Sequence, residues 1–280
     1  MAAVASLDEV LHGIDDWPVS TAAAAVVGPD GVLAGYGPTG RDFRLASVTK
    51  PLAALAVLVA VEEGAVELDE PAGPPGATVR HLLAHSAGLA FDGAPAPRRP
   101  VAEPGTRRIY SNAGFEVLGE HLAAATGMAF GEYADAAVCE PLGLGRTVLT
   151  GSPAYGATSC VDDLAVLARD LLRPTLLHPT TLAEATAVQF PGLSGVLPGF
   201  GRQERNDWGL GFEIRAEKSP HWTGSRNSPR TFGHFGRAGT FCWVDPVAGL
   251  ACVVLTDREF AEWAARCWPS LSDAVLTAAP

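Results

Sequence analysis

The chain has 280 residues, 48% of them hydrophobic, with 31 glycines and 22 prolines; this excludes disorder and leaves one large domain or two interleaved lobes. A net charge of −11 argues against a general nucleic-acid or anionic-membrane binder, since both would repel it. The longest apolar run, Pro51 to Val61, is too short to span a bilayer, so no membrane partner is expected.

Taken in chain order, Leu7 to Ile14 has helical spacing. Ala22 to Val27 and Val32 to Tyr36, split by Gly28-Pro29-Asp30-Gly31, predict a β-hairpin. Gly35 to Gly40 fits G-x-G-x-x-G, but Pro38 and the residues after Gly40 open no helix, so a turn is the better reading. A helix is expected to start at Ser47, with Pro51 in its first turn and Gly64 at its end. Its body is apolar on every face, the mark of a helix at the centre of a protein. From Val79 to Pro198 the pattern is mostly helical, with loops at Gly93 to Pro104 and Leu193 to Arg205.

Beyond Trp208 the period turns toward strands: Gly209 to Ile214, Thr231 to Gly236, Thr240 to Val244 and Leu250 to Leu255. A last helix is predicted from Glu259 to Leu276. Strands at both ends with helices between them predict one sheet built from the two termini and a helical insertion. The sheet lobe is placed at about 1–46 plus 206–280 and the helical lobe at about 47–205 of a single domain. Cysteines 139, 160, 242, 252 and 267 lack C-x-x-C spacing, and most of them read as small buried hydrophobes in a reducing compartment. With no lysine or arginine before Arg41, no secretion signal is recognised and a cytoplasmic location is expected.

The chemistry is concentrated in three short signals. Only 2 of the 20 lysines and arginines are lysines, and Lys50 lies three residues after Ser47. With 13 serines, chance gives about 0.09 Ser-x-x-Lys pairs in such a chain. Unlike arginine, a desolvated lysine can lose its proton and act as a base. Residues i and i+3 share a helix face, so the amine can reach the Ser47 hydroxyl. Tyr110-Ser111-Asn112 and His234-Phe235-Gly236 follow in order. A tyrosine beside a cation offers a second proton shuttle, and an asparagine can fix the lysine and orient a substrate amide. His81 and His85 hint at zinc, but Leu82 stands where a metalloprotease helix has glutamate; a structural role is expected, with no metal and no cofactor. Arg107 and Arg108 read as solvated surface, while Arg237 reads equally as surface or substrate-carboxylate binder. Cys160 is discounted as a nucleophile, having no histidine partner nearby in sequence.

These motifs resemble those of the serine β-lactamase and penicillin-binding-protein superfamily, in its tyrosine-motif branch of esterases, DD-peptidases and β-lactamases. Leu45 to Lys50 is similar to the nucleophile box, and His81-Leu82-Leu83-Ala84-His85-Ser86-Ala87-Gly88-Leu89 to the H-L-L-x-H-x-x-G-L segment. Glu103-Pro104-Gly105, Tyr110 to Gly114, Pro141 to Leu144 and Gly233 to Thr240 extend the likeness over nearly the whole chain. The resemblance implies an α/β fold of the β-lactamase/DD-peptidase kind, with an antiparallel sheet flanked by helices and an all-helical lobe. It implies that Ser47 is acylated, that Lys50 and Tyr110 share the proton transfers, and that Asn112, His234, Gly236 and Arg237 bind or orient substrate. The N–H groups of Ser47 and Arg237 would form the oxyanion hole. His234 stands where many relatives have lysine, and the segments before Ser47 and before Tyr110 are short. The expected activity is a serine esterase or amidase on a small ester, amide or lactam. The alternatives are a β-lactamase or D-alanyl-D-alanine carboxypeptidase, and a catalytically silent binding descendant.

Overall fold

The computed structural model describes residues 5–92 and 99–279. Its centre is a six-stranded antiparallel sheet in the order β2-β1-β11-β10-β9-β8. The strands are β1 (Ala22–Gly28), β2 (Gly31–Tyr36), β8 (Glu213–Ile214), β9 (Phe232–Gly236), β10 (Thr240–Asp245) and β11 (Leu250–Thr256). The pairing of β1 with β11, Ala22 opposite Thr256 through Val27 opposite Ala251, closes the two chain ends into one sheet. This bears out the sheet expected from both termini.

Both faces of the sheet are covered, which explains strands that are apolar at nearly every position. Ala23, Ala25 and Val27 of β1, with Val253 and Leu255 of β11, face one core; Ala24, Val26, Cys252 and Val254 face the other. The alternation follows directly from the two-residue period of a strand. The second core is filled by the terminal helices α1 (Leu7–His12) and α9 (Glu262–Ala278), through Leu11, Trp263, Trp268 and Val275. The first is filled by the helical insertion, above all by α2 (Thr49–Glu62). Every residue of α2 from Thr49 to Leu58 is buried, as its all-round apolar sequence requires.

The insertion also carries α3 (Val79–Leu83), α4 (Asn112–Thr126), α5 (Phe130–Ala134), α6 (Glu140–Leu142), α7 (Val161–Leu172) and α8 (Pro179–Ala185). It is not purely helical. Its β4 (Val148–Leu149) and β5 (Ala157–Ser159) join β3 (Phe43–Arg44), which precedes it, in a small sheet of order β3-β5-β4. β6 (Gly195–Leu197) and β7 (Gly201–Gln203) form a hairpin where the sequence predicts a loop. Strands of two or three residues carry no readable period. The expected strand from Gly209 shrinks to Glu213–Ile214 because Leu210 and Gly211 donate their N–H groups to Ala185 and Leu83, outside the ladder. The loop expected from Gly93 lies partly outside the described residues.

One departure bears on the site. α2 begins at Thr49, and Ser47 sits before it in a 3-10 turn, Ala46–Val48. Ala46, the residue just before the serine, has φ of 47°, a costly value for a residue with a Cβ. The turn is held from both sides: the Leu45 N–H donates to Ala157, and the Leu45 carbonyl accepts from the Thr240 hydroxyl at 2.9 Å.

Candidate active site

Ser47 lies at the junction of the sheet and the insertion, and Lys50 lies beneath it with no exposure to solvent. The Lys50 amine donates to Asn112 Oδ1 at 2.8 Å and to the Ala154 carbonyl at 3.0 Å, and stands 3.4 Å from Ser47 Oγ. Among the described residues no carboxylate forms an ion pair with it. Burial therefore drives its pKa well below the ordinary lysine value, against the weaker opposing pull of Asp92 and Glu116.

Asn112 opens α4, whose N-cap Ser111 accepts from the Gly114 N–H. This cap sets both Tyr110 and Asn112 against Lys50. The Tyr110 ring centroid is 4.6 Å from Nζ. Burial pushes the phenol above its ordinary value, so Tyr110 is a neutral hydroxyl rather than the phenolate that a neighbouring cation would favour.

His234, in β9, is buried, and its Nδ1 lies 2.7 Å from the Phe235 carbonyl. A carbonyl only accepts, so Nδ1 carries the proton and Nε2 presents a lone pair, 3.5 Å from the Tyr110 hydroxyl. Burial, with Lys50 second, pulls the imidazole pKa down to about 3. A neutral acceptor thus replaces the permanent cation of a lysine.

Gly236 ends the same strand. A Cβ there would stand 2.3 Å from the Leu45 carbonyl and 3.2 Å from the Ser47 nitrogen, so only glycine lets the strand end approach the serine's backbone. Arg237 follows with a side chain 83% exposed, in a loose surface contact with Glu259. Ser47 borders two cavities. One, of about 780 Å³, is a charged trough lined by Arg44, Asp92, Asn112, Glu116 and Arg237. The other, of about 250 Å³, is mainly apolar, lined by Tyr110, Leu197, Trp208, Phe235 and Phe260.

The other six sequence-predicted residues are therefore gathered around Ser47. Sequence reasoning missed Asp92, Trp208 and the Ala154 carbonyl, which arrive from distant segments with no local spacing to announce them, and Glu116, which lies one helical turn beyond Asn112 on α4. His81 and His85 hold structure: His81 bonds the Thr78 hydroxyl at 2.8 Å, and His85 Nδ1 accepts from the Ser111 N–H at 3.1 Å. No cluster of three or more metal-ligating side chains occurs among the described residues. Arg108 is not solvated surface. It is buried and donates to the carbonyls of Ala84, Gln189, Phe190 and Asn206.

The buried imidazoles make stability sensitive to acid. A base whose folded pKa is depressed contributes stability above its unfolded pKa and loses it as pH falls toward the folded value. For His234 that window runs from 6.5 to about 3, and His85 acts in the same direction. Between about pH 7 and pH 5, His234→Gln is expected to lose about 2 kcal/mol less stability than wild type in urea unfolding. Parallel losses in both proteins would contradict a neutral buried His234.

A sheet closed by both chain ends, a helical insertion and a cleft at their junction define a β-lactamase-type fold. The chain belongs to the beta-lactamase family, whose sequence model matches residues 18–275. It is similar to the crystal structure of a beta-lactamase from Mycobacterium bovis, at 61% identity and a TM-score of 0.93, over 95% of this chain and 98% of that one. EstCE1, described as a hydrolase with promiscuous acyltransferase activity, shares the fold at 20% identity and a TM-score of 0.77, over 96% of this chain and 97% of that one. Esterase EstB of Burkholderia gladioli is 32% identical over 145 residues, 36% of this chain and 37% of that protein. The chain spans less than half the length of the curated relatives it matches. Among the described residues no helix is long and apolar enough to cross a membrane.

Proposed function

We propose that the protein is a serine esterase or amidase that forms an acyl-enzyme on Ser47 with a small acyl substrate. The observation that carries this reading is the fully buried, carboxylate-free Lys50 against Ser47 and Asn112. A neutral Lys50 takes the Ser47 proton as Oγ attacks the carbonyl carbon. The N–H groups of Ser47 and Arg237 receive the oxyanion. The neutral Tyr110 hydroxyl gives its proton to the leaving alkoxide or amine and is reprotonated from Lys50. Water then attacks the acyl-serine, returning the acid and a free Ser47.

The neutral His234 and the apolar cavity beside Ser47 favour an uncharged acyl compound over a substrate anchored by a carboxylate. The name of the 61% identical M. bovis protein supports the second reading, a β-lactamase. One comparison separates them: initial rates with p-nitrophenyl butyrate, a chromogenic cephalosporin and a D-alanyl-D-alanine peptide. The ester is expected to give the highest kcat/KM. A cephalosporin or peptide turned over faster would overturn the esterase reading in favour of the corresponding alternative.

The proposed oxyanion hole makes its own prediction. Gly236→Ala forces β9 away from the Ser47 nitrogen, so ester kcat is expected to fall about 100-fold with little change in KM. An unchanged kcat in the folded variant would refute that placement.

A further inference from the structure

The Asn112 amide bridges two partners of different chemistry. One end is 2.8 Å from Lys50 Nζ, and the other is 2.9 Å from Asp92 Oδ1. A carboxylate only accepts, so the NH2 end must face Asp92 and the oxygen must face the lysine. That orientation matters for a neutral amine, which has two N–H groups and one lone pair. Asn112 Oδ1 and the Ala154 carbonyl, both pure acceptors, engage the two N–H groups. The lone pair is left for the third neighbour, Ser47 Oγ, at 3.4 Å. With the amide reversed, Nδ2–H would donate into that lone pair and occupy the base.

We propose that Asp92 is a positioning residue, which holds the Asn112 amide in the one orientation that leaves the Lys50 lone pair free for Ser47. The backbone that delivers Asp92 is registered against the start of α4. The Phe91 carbonyl accepts from the Asn112 N–H at 2.7 Å, and the Ala90 carbonyl accepts from the Ser111 hydroxyl at 2.6 Å. Asp92 itself lines the charged trough, where solvent reaches it. It also acts on Lys50 through its charge. The groups facing the amine are the carboxylates of Asp92 and Glu116, the imidazoles of His85 and His234, and the Tyr110 phenol. Only the two carboxylates favour its protonated form.

The inference rests on the reading of Ser47 as nucleophile and Lys50 as base, and its test separates the two. The probe is an alkyl fluorophosphonate: an Oγ–P bond forms, the P–F bond breaks, the serine proton passes to Lys50 and fluoride leaves. Labelling rates of wild type, Asp92→Ala and Asp92→Asn are followed against pH by intact mass, with melting temperatures confirming the fold. Wild type is expected to label faster as pH rises through the Lys50 pKa. Asp92→Ala should lower the high-pH plateau about tenfold, because the amide is free to reverse. Asp92→Asn should recover part of the plateau, since its Oδ1 can still accept from Asn112 while its own amide no longer forbids the reversed orientation. Having lost the charge that opposes burial, Asp92→Asn should also shift the rising limb to lower pH. A plateau in Asp92→Ala equal to wild type, or a limb in Asp92→Asn that does not move, would overturn the role of Asp92 while leaving Ser47 as nucleophile. A wild type that takes no label at Ser47 would overturn both.

Discussion

Ser47→Ala is expected to fold as wild type does and to lose ester turnover by about 10⁴-fold or more. Ser47 is half-buried at a turn fixed by main-chain bonds from Leu45, so deleting one hydroxyl costs little packing. The same deletion removes the atom that would carry the acyl group, and no neighbour can replace it. Tyr110 is a neutral phenol with a raised pKa, and Cys160 Sγ is buried, accepting from the Asp163 N–H at 3.5 Å as the cap of α7. Residual turnover within tenfold of wild type, measured at matched folded concentration, would remove Ser47 from the chemistry.

Lys50→Met is expected to lower turnover by about 10³-fold while leaving the melting temperature within a few degrees of wild type. Methionine keeps an unbranched chain of similar length and puts no charge in the buried site. Its loss of the amine leaves Asn112 Oδ1 and the Ala154 carbonyl without that donor, a cost of about 1–3 kcal/mol per group. Relief from burying an ionisable amine offsets much of that cost. Lys50→Arg suits the purpose less well. The sequence alone leads one to expect that arginine folds normally there, but the amine is completely enclosed. Arg108 shows what a buried guanidinium needs here: four main-chain carbonyls. The Lys50 site offers one main-chain carbonyl, one amide oxygen and one hydroxyl, so Lys50→Arg is expected to be destabilised. A Lys50→Met variant that turns over ester at the wild-type rate would exclude the lysine as base.

Much of this arrangement was legible because the chemistry is local in sequence. Ser47 and Lys50 share a turn, Tyr110 and Asn112 flank one helix cap, and His234 and Gly236 lie on one strand. The rarity of lysine was a less secure clue. The second lysine, Lys218, is equally rare and buried, yet it is paired with Glu213 and donates to the Asp207 carbonyl at 2.6 Å. Glu213 also accepts from Trp222 Nε1 at 2.9 Å, which makes this a buried polar cluster. What separates the two lysines is the partner. Burial pulls both lysines below the ordinary value; at Lys218 the paired Glu213 carboxylate opposes that pull, whereas Lys50 has only an amide and a carbonyl beside it, and only the three-dimensional contacts reveal that difference. Asp92 was hidden for the same reason: it lies 20 residues from Asn112 in the chain. Nor does the sequence tell that burial, the largest influence on Tyr110, raises its phenol pKa despite the amine beside it.

The central claim is a covalent acyl group on Ser47, and the most direct test is mass spectrometry of an acid-quenched reaction with p-nitrophenyl butyrate. Within the first turnovers wild type should gain one butyryl group, located on the peptide that contains Ser47, and Ser47→Ala should gain none. An adduct on any other residue, or ester turnover with no adduct at all in either wild type or Lys50→Met, would contradict the account.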